Sequence, residues 1–330
     1  MAELLKLLKD GNKPSLMAAF VNAFLGIIKG IAFFFTGNVA MFAEMMHSLG
    51  DAANQLFVYI GSALSKKAPT KQFPGGFGRI VNLVCLFAVI IVAILSYETI
   101  KEGWHHFIHP TGESSGILIA LGVLFIGIVL EGTVLAKAAA EVLHEAGQEK
   151  AGIASIPKAF PYLNRAKPAT KLVFMEDLVA TGGNFLAFAA ILIAYFTGWG
   201  GRIEGLVSMI IGGAMMFYVV GKVFLDNARG VIGETDEEML NHIAHLVMED
   251  PNIKDIVRLE VIKEGEFLHV ELVAEADPPH LSLAFLDDVR DHLTEVILSQ
   301  KGVSKVAILF DEDDGKTSWI HVGEKPNNSM

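Results

Sequence analysis

Apolar residues fall in long runs through the first two thirds of the chain and in shorter periodic stretches after it. A helix needs roughly 20 mostly apolar residues to cross ~30 Å of hydrocarbon. Six segments meet that length: Ser15–Phe35, Ala40–Ser65, Ile80–Trp104, Gly116–Lys137, Leu172–Thr197 and Ile203–Leu225. The second and fifth are the least apolar, because each carries ionisable residues near its start. After Leu225 the period changes. Glu234–Glu249 reads as an amphipathic helix, Ile253–Ile262 and Phe267–Ala274 as strands, Leu281–Ser299 as a helix and Val303–Phe310 as a strand. The expected fold is an all-α membrane domain of six helices, residues 1–225, followed by a soluble α+β domain, residues 226–330, in the ferredoxin-like order α-β-β-α-β. Two helices on one face of a three-stranded sheet leave it short of burial, and a second copy supplies the remainder, so a homodimer is expected.

Basic residues orient the spans, since loops rich in Lys and Arg stay cytoplasmic. One side collects Lys6, Lys9 and Lys13, then Lys66, Lys67, Lys71 and Arg79, then Lys137, Lys150, Lys158, Arg165, Lys167 and Lys171. The other side holds Lys101 and Arg202. Both termini are therefore placed in the cytoplasm, which requires an even number of spans. The connection Ala138–Thr170 carries Pro157, Pro161 and Pro168 and begins with a charge-rich helical stretch, Ala138–Gln148.

Composition agrees with a lipid-embedded chain: 52% hydrophobic and 19% charged residues, with a mean hydropathy of +0.46. The net charge of −11 comes largely from acidic runs after Leu225, such as Asp311–Asp314, and no nucleic-acid partner is expected. A single cysteine, Cys85, excludes an intrachain disulfide and a thiolate zinc cluster. The start, MAELLKLLKDGNKPS, has neither signal-peptide nor transit-peptide character, so the first helix is expected to be retained and the membrane to be a bacterial inner membrane.

An ionisable side chain at membrane depth costs at least ~2.5 kcal/mol, which makes it a functional candidate. In the second span His47 and Asp51 stand at i and i+4 on one helical face. An imidazole and a carboxylate suit a borderline divalent cation such as Zn²⁺, and further ligands would complete a tetrahedron. The fifth span offers Glu176 and Asp177, about 100° apart on a helix, of which Asp177 is the favoured ligand. Glu131 in the fourth span joins the site, relays protons, or pairs with Lys29 of the first. Asn22, Asn54 and Thr181 are polar and neutral, and fit interhelical hydrogen bonding better than ligation. His105, His106 and His109 follow the third span without an evident carboxylate partner; solvated side chains are expected there, with metal capture the alternative.

Several of these residues resemble signatures of the cation diffusion facilitator family of metal/proton antiporters. Asn22, Lys29, Thr36-Gly37-Asn38-Val39-Ala40 and His47-Ser48-Leu49-Gly50-Asp51 are similar to its first two helices. Phe73-Pro74-Gly75-Gly76-Phe77-Gly78-Arg79 is similar to its loop before the third helix, and Tyr97-Glu98-Thr99-Ile100 with His109-Pro110 to that helix's end. Glu131-Gly132 and Glu176-Asp177-Leu178 resemble a divergent branch that includes a mitochondrial zinc transporter of animals. The resemblance implies alternating access: His47, Asp51 and Asp177 bind Zn²⁺, or another divalent metal such as manganese, iron or cobalt, and release it in exchange for protons. Thr181 stands where most members carry a second acidic ligand, so either Thr181, Glu176, Asn54 or water completes the site, or its geometry is more open than tetrahedral and the preferred ion is harder than zinc. Phe310 replaces a ligand of the family's cytoplasmic sites, leaving His269, His280 and His292 as candidates there.

No resident cofactor and no enzymatic activity are expected. An intramembrane aspartyl protease would use Asp51 and Asp177 as a carboxylate pair, but Ser48-Leu49-Gly50-Asp51 lacks the first glycine of the Gly-x-Gly-Asp motif such enzymes need. A metal-sensing scaffold that binds without transport is the other rival.

Overall fold

Helix α1 (Lys13–Thr36) begins where Asn12 accepts a hydrogen bond from the Ser15 amide at 3.1 Å, with a proline in its first turn. It stops at Gly37, whose φ of 66° turns the chain left-handed while its N–H reaches the Phe33 carbonyl. Asn38 starts α2 (Val39–Ser65) by accepting from the Met41 amide at 3.1 Å. There follow α3 (Ile80–Ile108), α4 (Ile117–Glu145), the short α5 (Ser155–Ala159) flanked by two single 3₁₀ turns, α6 (Pro168–Thr197) and α7 (Gly200–Ala214). A π-helical stretch, Met215–Val223, joins α7 to α8 (Phe224–Ile232). This is a computed structural model, and it describes residues 7–9, 11–110, 116–149, 151–163, 168–265, 267–277, 282–313 and 315–319.

Among the described residues, four helices are long and apolar enough to cross a membrane: Lys13–Thr36, Ile80–Ile108, Ile117–Glu145 and Val173–Thr197. The helix at Val39–Ser65 has comparable length, but Glu44, His47 and Asp51 make it more polar. The run 200–232 is likewise long and includes the buried Glu204 and Ser208. Helix α4 does not end at bilayer length near Lys137; it continues for 29 residues, about 43 Å, and absorbs most of the stretch expected as a separate helix from Ala138.

The described chain divides into two compact units, one within 1–11, 60–84 and 226–330, the other Asn12–Tyr59 with Cys85–Leu225. The second is helical. Its core packs Met41, Val92, Leu124, Ile191, Ile211 and Met215, while apolar side chains such as Phe24, Phe34, Ile90 and Phe125 stay exposed on the outside of the helices. In water that outer surface would be costly; in hydrocarbon it is the ground state.

The first unit holds α9 (Glu237–Met248), β1 (Ile253–Glu264), β2 (Phe267–Ala276), α10 (Leu283–Leu298) and β3 (Val303–Asp311). Asp236 caps α9 through the Met239 amide, and Ser282 caps α10 through Phe285. The sheet order is β1-β2-β3. β1 pairs antiparallel with β2, and β2 pairs parallel with β3 across the α10 crossover. Ile243, Val247, Ile256, Val270, Leu293 and Ile297 form the core under the two helices. Phe310 packs at its margin, opposite Ala274. In the same unit the loop before α3 lies against the β1–β2 turn: Arg79 Nη2 is 3.7 Å from Glu264 Oε1, and Lys305 bridges the Gly75 carbonyl and Glu264.

Candidate metal site in the helical unit

Helix α2 carries Glu44, His47 and Asp51 at spacings of three and four residues, so all three face one way. His47 Nε2 lies 3.4 Å from Asp51 Oδ2. The His47 side chain is 5% exposed and that of Asp51 34%, which puts the pair at the edge of the packed interior. Neither ring nitrogen of His47 has a hydrogen-bond partner. On α6, Asp177, Thr181 and Asn184 recur at i, i+4 and i+7 along a second face. Asp177 Oδ2 and Thr181 Oγ1 are also buried without partners. With Glu44 Oε1 and Asn184 Oδ1 these make six unsatisfied atoms among the described residues of the two helices; most buried polar atoms in proteins are hydrogen-bonded, so the cluster fits a ligand that supplies the missing bonds.

The two helices meet at Gly183. A Cβ there would lie 2.5 Å from Glu44 Oε1, so only glycine admits the carboxylate. A cavity of about 160 Å³ opens beside this contact, lined by Glu44, His47, Leu178, Gly182, Ile210 and Ala214 among others. Asp177 lies within electrostatic reach of Asp51 and Glu131, and Glu176 within reach of Asp51 and His47. Asn54 sits half-buried three residues beyond Asp51.

Glu131 on α4 is already engaged. Its Oε1 is 3.4 Å from Lys29 Nζ, and its Oε2 accepts from Asn184 Nδ2. Lys29 also donates to Glu44 Oε2 at 2.8 Å. A buried network, Glu44–Lys29–Glu131–Asn184, therefore stands beside His47. Glu44 and Asn184 were missed in the sequence. The available signal was spacing: Glu44 lies one turn before His47, and Asn184 two turns after Asp177.

His105 and His106 lie in the last turn of α3 and His109 just beyond it, and the expectation that they lack a carboxylate partner is corrected: Glu102 Oε1 is 3.3 Å from His106 Nε2. In the sheet unit His269 faces Glu271 at 3.9 Å and His292 faces Asp250 at 3.9 Å, without a third ligand among the described residues. His280 lies outside the described residues.

Exposed apolar helices around a buried, ionisable centre define an integral membrane protein of the helical transport type. Residues 15–232 match the family described as the cation efflux transmembrane domain, about two thirds of the chain, and the protein belongs to that family. It is 25% identical over 276 residues to the mitochondrial proton-coupled zinc antiporter of Xenopus laevis, covering 82% of this chain and 47% of that protein. It is 23% identical over 290 residues to the zinc transporter ZitB of Escherichia coli, covering 87% and 85%. An uncharacterised transporter of Methanocaldococcus jannaschii is 20% identical over 307 residues, 92% of this chain and 99% of that one. The chain spans about half the length of the animal antiporters it matches.

Proposed function

We propose that the protein carries a divalent metal ion, Zn²⁺ foremost, out across a membrane in exchange for protons. The observation that carries this reading is the set of buried, unsatisfied atoms on facing helices: both nitrogens of His47, Asp177 Oδ2 and Thr181 Oγ1, with Asp51 beside His47. The donor set is one imidazole, two carboxylates and a hydroxyl, which suits Zn²⁺ and leaves manganese, iron and cobalt as rivals for the same site. Thr181 is the fourth ligand in this reading, because it shares a face with Asp177, whereas Glu131 is held by Lys29 and Asn184. The zinc-transporting names of two relatives point to the same ion.

Exchange follows from the ligands. Metal needs neutral imidazole and ionised carboxylate, so protons and metal compete for the same atoms, and a proton gradient drives the ion the other way. Rocking of α6 and the α7–π–α8 run against α2 gives each membrane face access in turn. In this reading α2 and the α7 run complete six spans, and both termini lie in the cytoplasm of a bacterial inner membrane. Residues 1–225 form the transport domain, and residues 226–330 pair two copies through the sheet.

The test is metal uptake into proteoliposomes under an imposed pH gradient, with Asp51→Ala and Asp177→Ala compared with the native protein. Gradient-driven Zn²⁺ flux lost in both variants is the expected result. Absence of flux for Zn²⁺, Mn²⁺, Fe²⁺ and Co²⁺ alike in the native protein would overturn the carrier reading and leave a metal-binding scaffold.

A further inference from the structure

We propose that Glu102, His105 and His106, at the carboxyl end of α3, form a second metal site that takes a divalent transition ion from solution independently of the α2–α6 centre. One ligand atom from each of the three side chains lies within 4.8 Å of the others, and among the described residues this is the one such grouping of three. Glu102 Oε1 and His106 Nε2 are 3.3 Å apart. Ligand atoms around tetrahedral Zn²⁺, at bonds of 2.0–2.1 Å, sit about 3.4 Å apart, so this pair already has the spacing of two ligands on one ion. His105 is exposed, with a ring nitrogen within 4.8 Å of ligand atoms of both neighbours.

The backbone beneath these residues is fixed. Gly103 lies in the same turn, and a Cβ there would come 2.7 Å from the Gly205 carbonyl oxygen and 2.9 Å from the Met209 amide nitrogen. A Cβ at Gly205 would in turn meet the Phe107 amide nitrogen at 2.8 Å. Helices α3 and α7 thus touch backbone to backbone at this level, which holds the ligand-bearing turn still and lowers the cost of binding.

Two neighbours mark the depth. Trp104 and Phe107 stack with centroids 6.3 Å apart and are both exposed, the placement of an aromatic belt at a membrane–water boundary. Hydrated ions therefore reach the histidine face of the same turns. Lys101, the adjoining cation, is drawn chiefly to Glu98, at 3.1 Å. His109 lies one turn further on, its ring centroid 5.4 Å from that of His105. Imidazole nitrogens with one carboxylate favour Zn²⁺, Co²⁺ or Ni²⁺ over Mg²⁺ and Ca²⁺.

The experiment is titration of the tag-free, full-length protein in detergent with Zn²⁺ by calorimetry and with Co²⁺ by visible absorption. The native protein is compared with His105→Ala/His106→Ala, with Glu102→Gln and with His47→Ala/Asp51→Ala. We expect His105→Ala/His106→Ala to lose one bound equivalent, Glu102→Gln to weaken that equivalent at least tenfold, and His47→Ala/Asp51→Ala to retain it. Equal stoichiometry and affinities in the native protein, His105→Ala/His106→Ala and Glu102→Gln overturn the site, as does displacement of the ion by Mg²⁺. Because the readout is binding at an exposed turn, it stands or falls separately from gradient-driven flux through the α2–α6 centre.

Discussion

Lys29 of α1 holds Glu44 of α2 at 2.8 Å with the two side chains 1% and 0% exposed, a sealed ion pair three residues from His47. Glu131 shares the same ammonium at 3.4 Å. One cation between two carboxylates leaves local negative charge where a metal ion is expected to bind.

Removing Lys29 strands both carboxylates. Breaking a buried pair from one side costs about 3–5 kcal/mol, so Lys29→Met is expected to lower the thermal stability of the solubilised protein by that order. Lys29→Met/Glu44→Gln should recover part of the loss, because one stranded charge is gone. Melting followed by size-exclusion recovery checks both; a Lys29→Met protein as stable as the native one would show that the pair contributes nothing net.

The ligand set sorts by affinity. Changes to groups that only support ligands typically cost about 10–100-fold in metal affinity. Asp51→Asn, Asp177→Asn and Thr181→Ala each remove a ligand in this reading and should therefore exceed ~100-fold. Asn54→Ala should change little if Thr181 fills the fourth position. Zn²⁺ titration in a His105→Ala/His106→Ala background isolates the α2–α6 centre. Thr181→Ala binding like the native protein would return the fourth position to Glu176 or water.

The α-β-β-α-β order was legible from periodicity: the strands moved at their ends by two residues or fewer, while the two helices begin three and two residues later than expected, after the caps Asp236 and Ser282. The end of α4 was not legible from bilayer length, because lipid thickness does not stop a helix. Ala138-Ala139-Ala140 continue it, and it stops only at Ala146 and the left-handed Gly147, φ 71°. In the site, His47, Asp51 and Asp177 stood out as charges in apolar runs. Glu44 did not, because its importance comes from a lysine 15 residues earlier and a glycine on another helix. Such pairings are tertiary and leave no period to read.

Gly183 sets how closely α6 approaches α2. A methyl group there would sit 2.5 Å from Glu44 Oε1, and Glu44 is anchored by Lys29, so it cannot simply swing aside. Overpacking of this kind costs typically about 1–3 kcal/mol. Gly183→Ala should lower the melting temperature and weaken Zn²⁺ binding together, whereas Gly182→Ala, with open space at its Cβ, should leave stability near native. Equal melting temperatures for the two variants would show that the helices separate at no cost.

In the sheet unit the loop before α3 meets the β1–β2 turn through backbone as well as charge. Arg79 and Glu264 are 3.7 Å apart and Arg79 is 41% exposed, so that pair contributes at most about 1 kcal/mol. At Gly78 a Cβ would come 2.5 Å from the Glu264 carbonyl oxygen, a backbone atom that a rotamer change does not relieve. Gly78→Ala should therefore destabilise the protein more than Arg79→Ala does, and should raise amide exchange across Lys263–Phe267 and the loop together, as both sides of one contact part. Hydrogen-exchange mass spectrometry of the full-length protein reads this directly. Faster exchange in the Arg79→Ala loop than in Gly78→Ala would mean that charge, and not backbone packing, holds the loop to the sheet.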